Sequence, residues 1–539
     1  MGIKSIVFNS LNSFNSLNSS NIRNLNNLIA TMLKKLCPLI TYLLLFPLSS
    51  IAQVTPSTED DETWYYLQSA ASLSYCAGSV VYNTTPQSGH YLRWGDKVTD
   101  ENALWKFVDT GAHAFRIVNK ATGLYICATT PGSGAGEVFS TDNAEEATAF
   151  VLTRQSGGTE SYTVSAADGN PLHAQENFGW MVTWADRSAG SASSWKFVQA
   201  TAEELQACEA KAKADAEDYR LVWAEEFNAD GRLDARDWSF ERGFVRNQEL
   251  QWYQSDNAFV ADGLLNIEGK RERVKNPNYD AGSSDWKKNR EYAEYTSASL
   301  NTSGKHVFTY GRLEVCAKIP IAVGAWPAIW TLGYEWGGDD HWPHSGEIDL
   351  LEYYGAATHA NFCWGGNGAW TDVWHSRTQP IRYWNKLDRT WAQKFHTWRM
   401  DWDSESVKLY IDDELVAVNN NARSYNVYGS TAGRNPFIGR DHYLLLNLAM
   451  GSNAGTPDEA RLPFLYQIDY VRLYQKPGQT HTNRGVTETT TPTTAIAAPP
   501  SLADAPEQTT AIYDLSGRRL SRLPRQGVAL VGRKVVVRR

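Results

Sequence analysis

Residues 344–355 read HSGEIDLLEYYG, and three carboxylates fall within six positions: Glu347, Asp349 and Glu352. Clustered acids are the equipment of acid–base and nucleophilic chemistry, because neighbouring carboxylates push each other's pKa values apart and leave one protonated while another is ionised. Three conformations compete for the stretch. A helix would put Glu347 with Leu351 and Ile348 with Glu352, mixing acidic and apolar residues on each face. A metal site would want more oxygen or imidazole ligands, and His341 and His344 do not stand at a ligand spacing. A strand puts Glu347 and Asp349 on one face and Ile348 and Leu350 on the other, which would be core. In that strand Glu352 is out of phase unless one extra residue precedes it. A β-bulge near Leu350–Leu351 supplies the shift and turns all three acids into one cleft. Three acids buried together are costly, which argues against a merely structural cluster.

Two glutamates on one surface suit hydrolysis of a glycosidic bond, where retaining enzymes hold nucleophile and acid/base about 5–5.5 Å apart. Four effective strand steps span about 13 Å of backbone. The two side chains must therefore lean together over Asp349, which would raise the pKa of the acid and orient the nucleophile by a hydrogen bond.

The elements that must position these acids lie in residues 218–476, a run of short alternating strands such as GRLEVCAKI, SVKLYIDDELVAV and QIDYVRLYQ with few helical patterns. Such a run predicts a β-sandwich or jelly roll. Ahead of it, residues 60–200 carry a weak threefold repeat. LWKFV, TAFVL and SWKFV end successive units, with Phe107, Phe150 and Phe197 as the shared aromatic, and each unit holds a strand–turn–strand phrase. Residues 201–217 open with a capping-box pattern, Thr201 and Glu204, and continue in strong helix formers, which predicts a helical linker.

The two ends are of a different character. Residues 1–52 combine an Asn/Ser/Leu low-complexity leader with a basic start at Lys34 and Lys35, an apolar run to Leu48 and a small-residue cleavage pattern ending at Ala52. This predicts a secretory signal peptide cleaved before Gln53, with Met32 a candidate start; the apolar run is short for a membrane span of about 20 residues. The expected location is secreted or cell surface. Residues 477–508 are Thr/Pro-rich linker, and 509–539 regain strand and turn character.

Composition narrows the partners. A net charge of −9 argues against nucleic acid or an anionic membrane surface. The excess of aromatics, 21 Trp, 26 Tyr and 18 Phe, serves either β-sheet cores or stacking on sugars. Beyond the signal peptide there are five cysteines without CxxC spacing, so at most two disulfides and a spare thiol are available. Nothing in the sequence sets an oligomeric state.

Eight phrases in order resemble glycoside hydrolase family 16 in its bulged E-x-D-x-x-E, laminarinase-like form: LVWAEEF, RNQELQWYQ, YTSASLNT, YGRLEVCAKI, GAWPAIWTLG, GEIDLLE, FHTWRMDW and IDYVRLYQ. The resemblance implies an all-β fold, a jelly-roll β-sandwich catalytic domain with an open cleft, and internal cleavage of β-linked polysaccharides with retention. It implies Glu347 as nucleophile, Asp349 as helper and Glu352 as acid/base, with Asn247, Glu314, Trp326 and Trp330 lining sugar subsites and His396 structural. No cofactor is implied for catalysis; a structural calcium is, with Asp469 as a ligand. One departure stands out. The family often carries an Arg projecting into the cleft where this chain has Cys316, which makes Cys363, just after the catalytic strand, a candidate disulfide partner. FRIVNKATGLYI resembles the ricin-type β-trefoil lectins, so a β-trefoil-like domain is expected at 60–200; Ala103 and Ser193 replace the Gln of that family's Gln-x-Trp signature before Trp105 and Trp195. The YDLSGRR phrase and basic valine-rich end resemble the C-terminal sorting tails of secreted Bacteroidetes proteins, which implies a secretion machine as a partner. The implied substrate is a β-1,3- or mixed-linkage β-glucan, with β-linked galactans second and a non-catalytic sugar-binding role third.

Overall fold

Leu313 and Val315 are fully buried while Arg312 before them and Glu314 between them are half-buried, and this alternation recurs along the strands that sort the central region into two sheets. The computed structural model describes residues 54–483, save short stretches at 59–60, 71, 74–75, 133, 157–159, 177, 187–189 and 335–337, together with strands Ile512–Asp514, Arg519–Leu520, Gly527–Val531 and Lys534–Arg538. The leader and signal peptide, and most of the Thr/Pro-rich linker, lie outside the described residues. Its first part does not: Thr480–Asn483 adds a strand beside His306–Thr309.

One sheet is built around Leu264–Lys275, Phe464–Gln475, Gly311–Lys318, His396–Trp402, Ser406–Ile411 and Glu414–Asn420. The other runs Ser299–Asn301, His442–Met450, Ala325–Gly333, Glu347–Tyr354, Ala357–Gly365 and Asp372–Pro380, all antiparallel, so the acidic strand is central in its sheet. The inner faces meet in one apolar core that includes Leu313, Val315, Ile329, Ile348, Trp398, Leu446 and Ile468. This is the sandwich, jelly-roll architecture expected of the pattern, mostly β, with helices Ala202–Glu217 and Ile381–Leu387.

In the N-terminal region six strands close on themselves. Tyr65–Ser69, Leu104–Gly111, Ala114–Asn119, Phe150–Arg154, Tyr162–Ser165 and Trp195–Gln199 each pair with the next, and the last pairs with the first. Three hairpins alternate with them, at 80–95, 125–141 and 172–184. The repeated tryptophans hold their own hairpins: Trp105 Nε1 donates to the Val81 carbonyl at 2.9 Å and Trp195 Nε1 to the Leu172 carbonyl at 3.1 Å, both rings fully buried.

This region packs directly against the sandwich through buried charge. Arg93 and Glu414 pair at 3.0 Å, both nearly inaccessible, Tyr383 donates to Glu414 at 2.6 Å, and Lys408 pairs with Asp100 at 2.6 Å. Backbone joins backbone where Leu415 N donates to the Thr84 carbonyl at 3.0 Å. Gly95 is required here, since a Cβ at that position would stand 2.4 Å from Val418. The helix read as a linker begins at the expected capping box, with Thr201 accepting from Glu204 N and Glu204 reaching back to Thr201 N. It is not a free tether: Cys208 is buried, and Lys211 and Asp215 pair with Asp403 and Lys476 of the sandwich. Among the described residues, no helix is long and apolar enough to cross a membrane.

Candidate active site

The ladder through the acidic strand is irregular at the expected point. Against Ala357–Gly365, Asp349 pairs with Asn361 and Glu352 with His359, so Leu350 and Leu351 together oppose Ala360. Against Ala325–Gly333, Leu351 pairs with Ile329 and Asp349 with Trp330, which leaves Leu350 without an opposite residue. Both leucines are buried in the core at 0–1% exposure. Two consecutive inward residues shift the phase, and Glu352 returns to the face that carries Glu347 and Asp349.

That face floors a cleft of about 600 Å³, lined among others by Asn247, Trp326, Trp330, Trp342, Glu347, Glu352, Asn361 and Trp374. Glu347 Oε2 accepts from Trp342 Nε1 at 2.6 Å. Glu352 accepts from Trp326 Nε1 at 2.9 Å and from Asn361 Nδ2 at 2.8 Å; the same Nδ2 donates to Asp349 Oδ2 at 2.9 Å. Asp349 Oδ1 is buried and accepts from no N–H or O–H, and the Asp349 and Glu347 carboxyl groups bond to each other. A carboxyl–carboxyl bond needs a proton. Burial and the flanking charges of Glu347 and Glu352 raise Asp349 well above the usual carboxylate range, so Asp349 holds it and donates to Glu347. Burial, then the Glu347 charge, pushes Glu352 up to about 8, although Trp326 and Asn361 favour its ionised form. Glu347 is raised by burial, with the Trp342 and Asp349 bonds opposing. Two carboxyl groups thus share one cleft, and Glu352 is the one held protonated at neutral pH.

Of the residues expected to contact substrate, three lie at the cleft. Asn247 sits in a left-handed turn (φ 55°) on its wall. Trp326 touches Glu352. Trp330 is largely packed, 7% exposed, with Nε1 donating to Asn447 Oδ1 at 2.7 Å and Arg246 over its face at 5.0 Å. Glu314 does not belong. It shares a face with Cys316 as expected, but that face is the outer one of the opposite sheet, where Glu314 lies in register with Arg399 and Arg472. The phase was right, but the strand belongs to the other sheet: Leu313 and Val315 fill the core between the sheets, and Glu314 turns outward on the side of the molecule away from the cleft.

Cys316 therefore replaces no cleft contact, and the disulfide with Cys363 is not formed. Both are free thiols on different sheets, each pushed up by burial. Asp469, 4% exposed, stands at a register slip opposite Cys316 and Ala317. Among the described residues no three His, Cys, Asp or Glu side chains gather as a metal site, and a buried protonated thiol is a poor neighbour for calcium, which takes oxygen ligands. His396 is held between the Trp391 carbonyl at 2.7 Å and the Asp412 carboxylate at 2.5 Å, away from the cleft.

Asn361, Trp342, Tyr354 and Trp374 were not singled out from the sequence. Asn361 had a legible signal, a polar residue in the strand after the acids, alternating with Ala360 and Phe362, which face the core. Trp342 comes from a loop whose course no periodicity indicates.

A model of glycosyl hydrolases family 16 matches residues 247–436, which include all three acids. Over 48% of its length the chain is 31% identical to a glucan endo-1,3-beta-glucosidase A1 of Niallia circulans, of which it covers 38%, and 31% identical to a beta-glucanase of Rhodothermus marinus, of which it covers 85%. It is 28% identical to a keratan-sulfate endo-1,4-beta-galactosidase of Sphingobacterium multivorum, covering 56% of that protein. The chain thus spans well under half of the first relative and most of the second. On the bulged acidic strand, the sandwich that carries it and this alignment, the chain belongs to glycosyl hydrolases family 16.

Proposed function

We propose that the protein is a secreted, retaining endo-β-glycanase that cleaves internal linkages of a β-1,3- or mixed-linkage β-1,3/1,4-glucan. The observation that carries the chemistry is the bulge that brings a high-pKa Glu352 onto the face of Glu347. Glu352 protonates the glycosidic oxygen as the Glu347 carboxylate attacks the anomeric carbon, giving a glycosyl ester and a freed chain end. Glu352, now ionised, takes a proton from water, which displaces Glu347. Asp349, by donating to Glu347, orients the nucleophile. Asn247, Trp326 and Trp330 contact the sugar. The reaction needs no cofactor.

The choice of glucan follows the activities of the Niallia and Rhodothermus relatives. The Sphingobacterium relative favours a second reading, hydrolysis of β-linked galactans. Product sizing after incubation with laminarin, barley β-glucan, agarose and mucin glycans separates the two. Loss of all cleavage in Glu347→Ala supports the site; substantial residual cleavage overturns it.

The closed ring of six strands with three hairpins supports a ricin-type β-trefoil-like fold for 60–200, and export rests on the signal peptide and the C-terminal sorting tail. The tail strands pair into a sheet of their own. Fusion of 509–539 to a reporter in a host with that secretion system tests the sorting role by the reporter's location.

A further inference from the structure

Among the described tryptophans only Trp370 and Trp374 are exposed, at 69% and 41%, and they flank one loop on the rim of the cleft. Trp374 lies in register with Cys363 and, beyond it, with Glu347, two strand spacings away, or about 10 Å. Trp370 stacks on His341 with ring centroids 4.1 Å apart and planes 25° from parallel. His341 adjoins Trp342, the donor to Glu347.

This rim is built rigidly. Buried His344 ties three loops together: its Nε2 meets the Gly368 carbonyl at 3.1 Å, its Nδ1 meets Thr431 Oγ1 at 3.0 Å, and its own carbonyl accepts from Asn426 Nδ2 at 2.7 Å. Asn426 in turn accepts from Gly365 N at 2.8 Å, and a Cβ on Gly365 would collide with the His344 ring at 2.0 Å. A large ring fixed face-outward on such a support loses little freedom when a ligand covers it. Single exposed apolar residues need no explanation, but here Val427 and Tyr428 are exposed as well, with Tyr428 5.8 Å from His344 and His344 6.0 Å from His341, the ring stacked on Trp370.

We infer that Trp370, backed by His341, is a distal binding platform for a neutral pyranose unit of the same polysaccharide chain, where it leaves the cleft past Glu347. A flat aromatic face takes the apolar C–H face of a sugar ring. Neutrality follows from the charges around it: Asp339 and Asp372 stand on these loops, and Arg440 is paired with Asp340. A sulfated or carboxylated unit would be repelled. The inference rests on the site reading above.

The test is Trp370→Ala in the full chain, with Trp370→Phe as the conservative variant, on whichever polymer the wild type cleaves and on oligosaccharides of that polymer with only a few units. Expected is a rise in KM of about tenfold on the polymer with kcat unchanged, no change on the shortest oligosaccharide cleaved, and substantial recovery in Trp370→Phe. An unchanged KM on the polymer, or an equal loss on polymer and short oligosaccharide, overturns the platform. Failure of the underlying site would show separately, as activity persisting in Glu347→Ala.

Discussion

Asn361 faces Asp349 directly across two strands, and its Nδ2 donates both to Asp349 at 2.9 Å and to Glu352 at 2.8 Å. One amide thus fixes the spacing between the helper and the acid. Replacing it by leucine, of similar size, leaves Asp349 Oδ2 buried without a donor. Unfolding of Asn361→Leu in denaturant should show a loss of about 1–3 kcal/mol, with activity reduced as well.

The pKa ordering fixes the pH profile. Glu352 must be protonated to act as acid and is pushed up to about 8. Plots of kcat/KM should therefore fall about tenfold per pH unit above roughly 8. Trp326 favours the ionised form, so Trp326→Phe should move that limb to higher pH. A limb that stays put, or moves down, would count against the assignment of Glu352.

The bulge can be removed without touching an acid. Deleting Leu350 would leave Glu347, Asp349 and Glu352 at strict two-residue spacing in a regular ladder, with all three still on the cleft face and Leu351 in the core. The deletion variant should fold, at a cost of about 2–5 kcal/mol for the lost leucine, and should still cleave the polymer when products are sized. Leu350→Ala, which keeps the extra residue, should fold with a stability lower by about 2–5 kcal/mol and retain cleavage.

Glu347→Ala and Glu352→Ala should each lower kcat by at least about 10²–10⁴-fold, with circular dichroism and melting close to wild type.

Much of this was legible in the sequence because the decisive signals were periodic. The phase error between Glu347 and Glu352 predicts the bulge, and Thr201 with Glu204 predicts the helix start. Periodicity of two states which residues share a face but not which sheet a strand joins, which is why Glu314 and Cys316 were placed together correctly and on the wrong sheet. Trp342 and Trp370 come from loops, where direction depends on tertiary hydrogen bonds such as those of His344. Nor does a repeat reveal what it packs against: the helix at 202–217 reads as a linker because Lys211 and Asp215 find their partners 192 and 261 residues further on.

The junction between the two halves makes a thermodynamic prediction. Glu414→Gln removes the charge opposite Arg93 in a nearly dry setting and should cost about 3–5 kcal/mol. Calorimetry of the wild type should show both regions melting in a single transition, and the variant should separate them into two.

Asp372–Pro380 is the last strand of its sheet, and the N-terminal region lies against it through Arg93 on Gln379 at 2.6 Å and Trp94 under Arg377 at 4.3 Å. Cutting the chain at residue 218 would leave that margin bare, with Glu414 and Lys408 stripped of their counter-ions, and a bare margin is a template for strangers. Swapping the amino-terminal region for an unrelated module would fail in the same way. The two halves are for this reason not interchangeable parts on a string but a single inheritable unit.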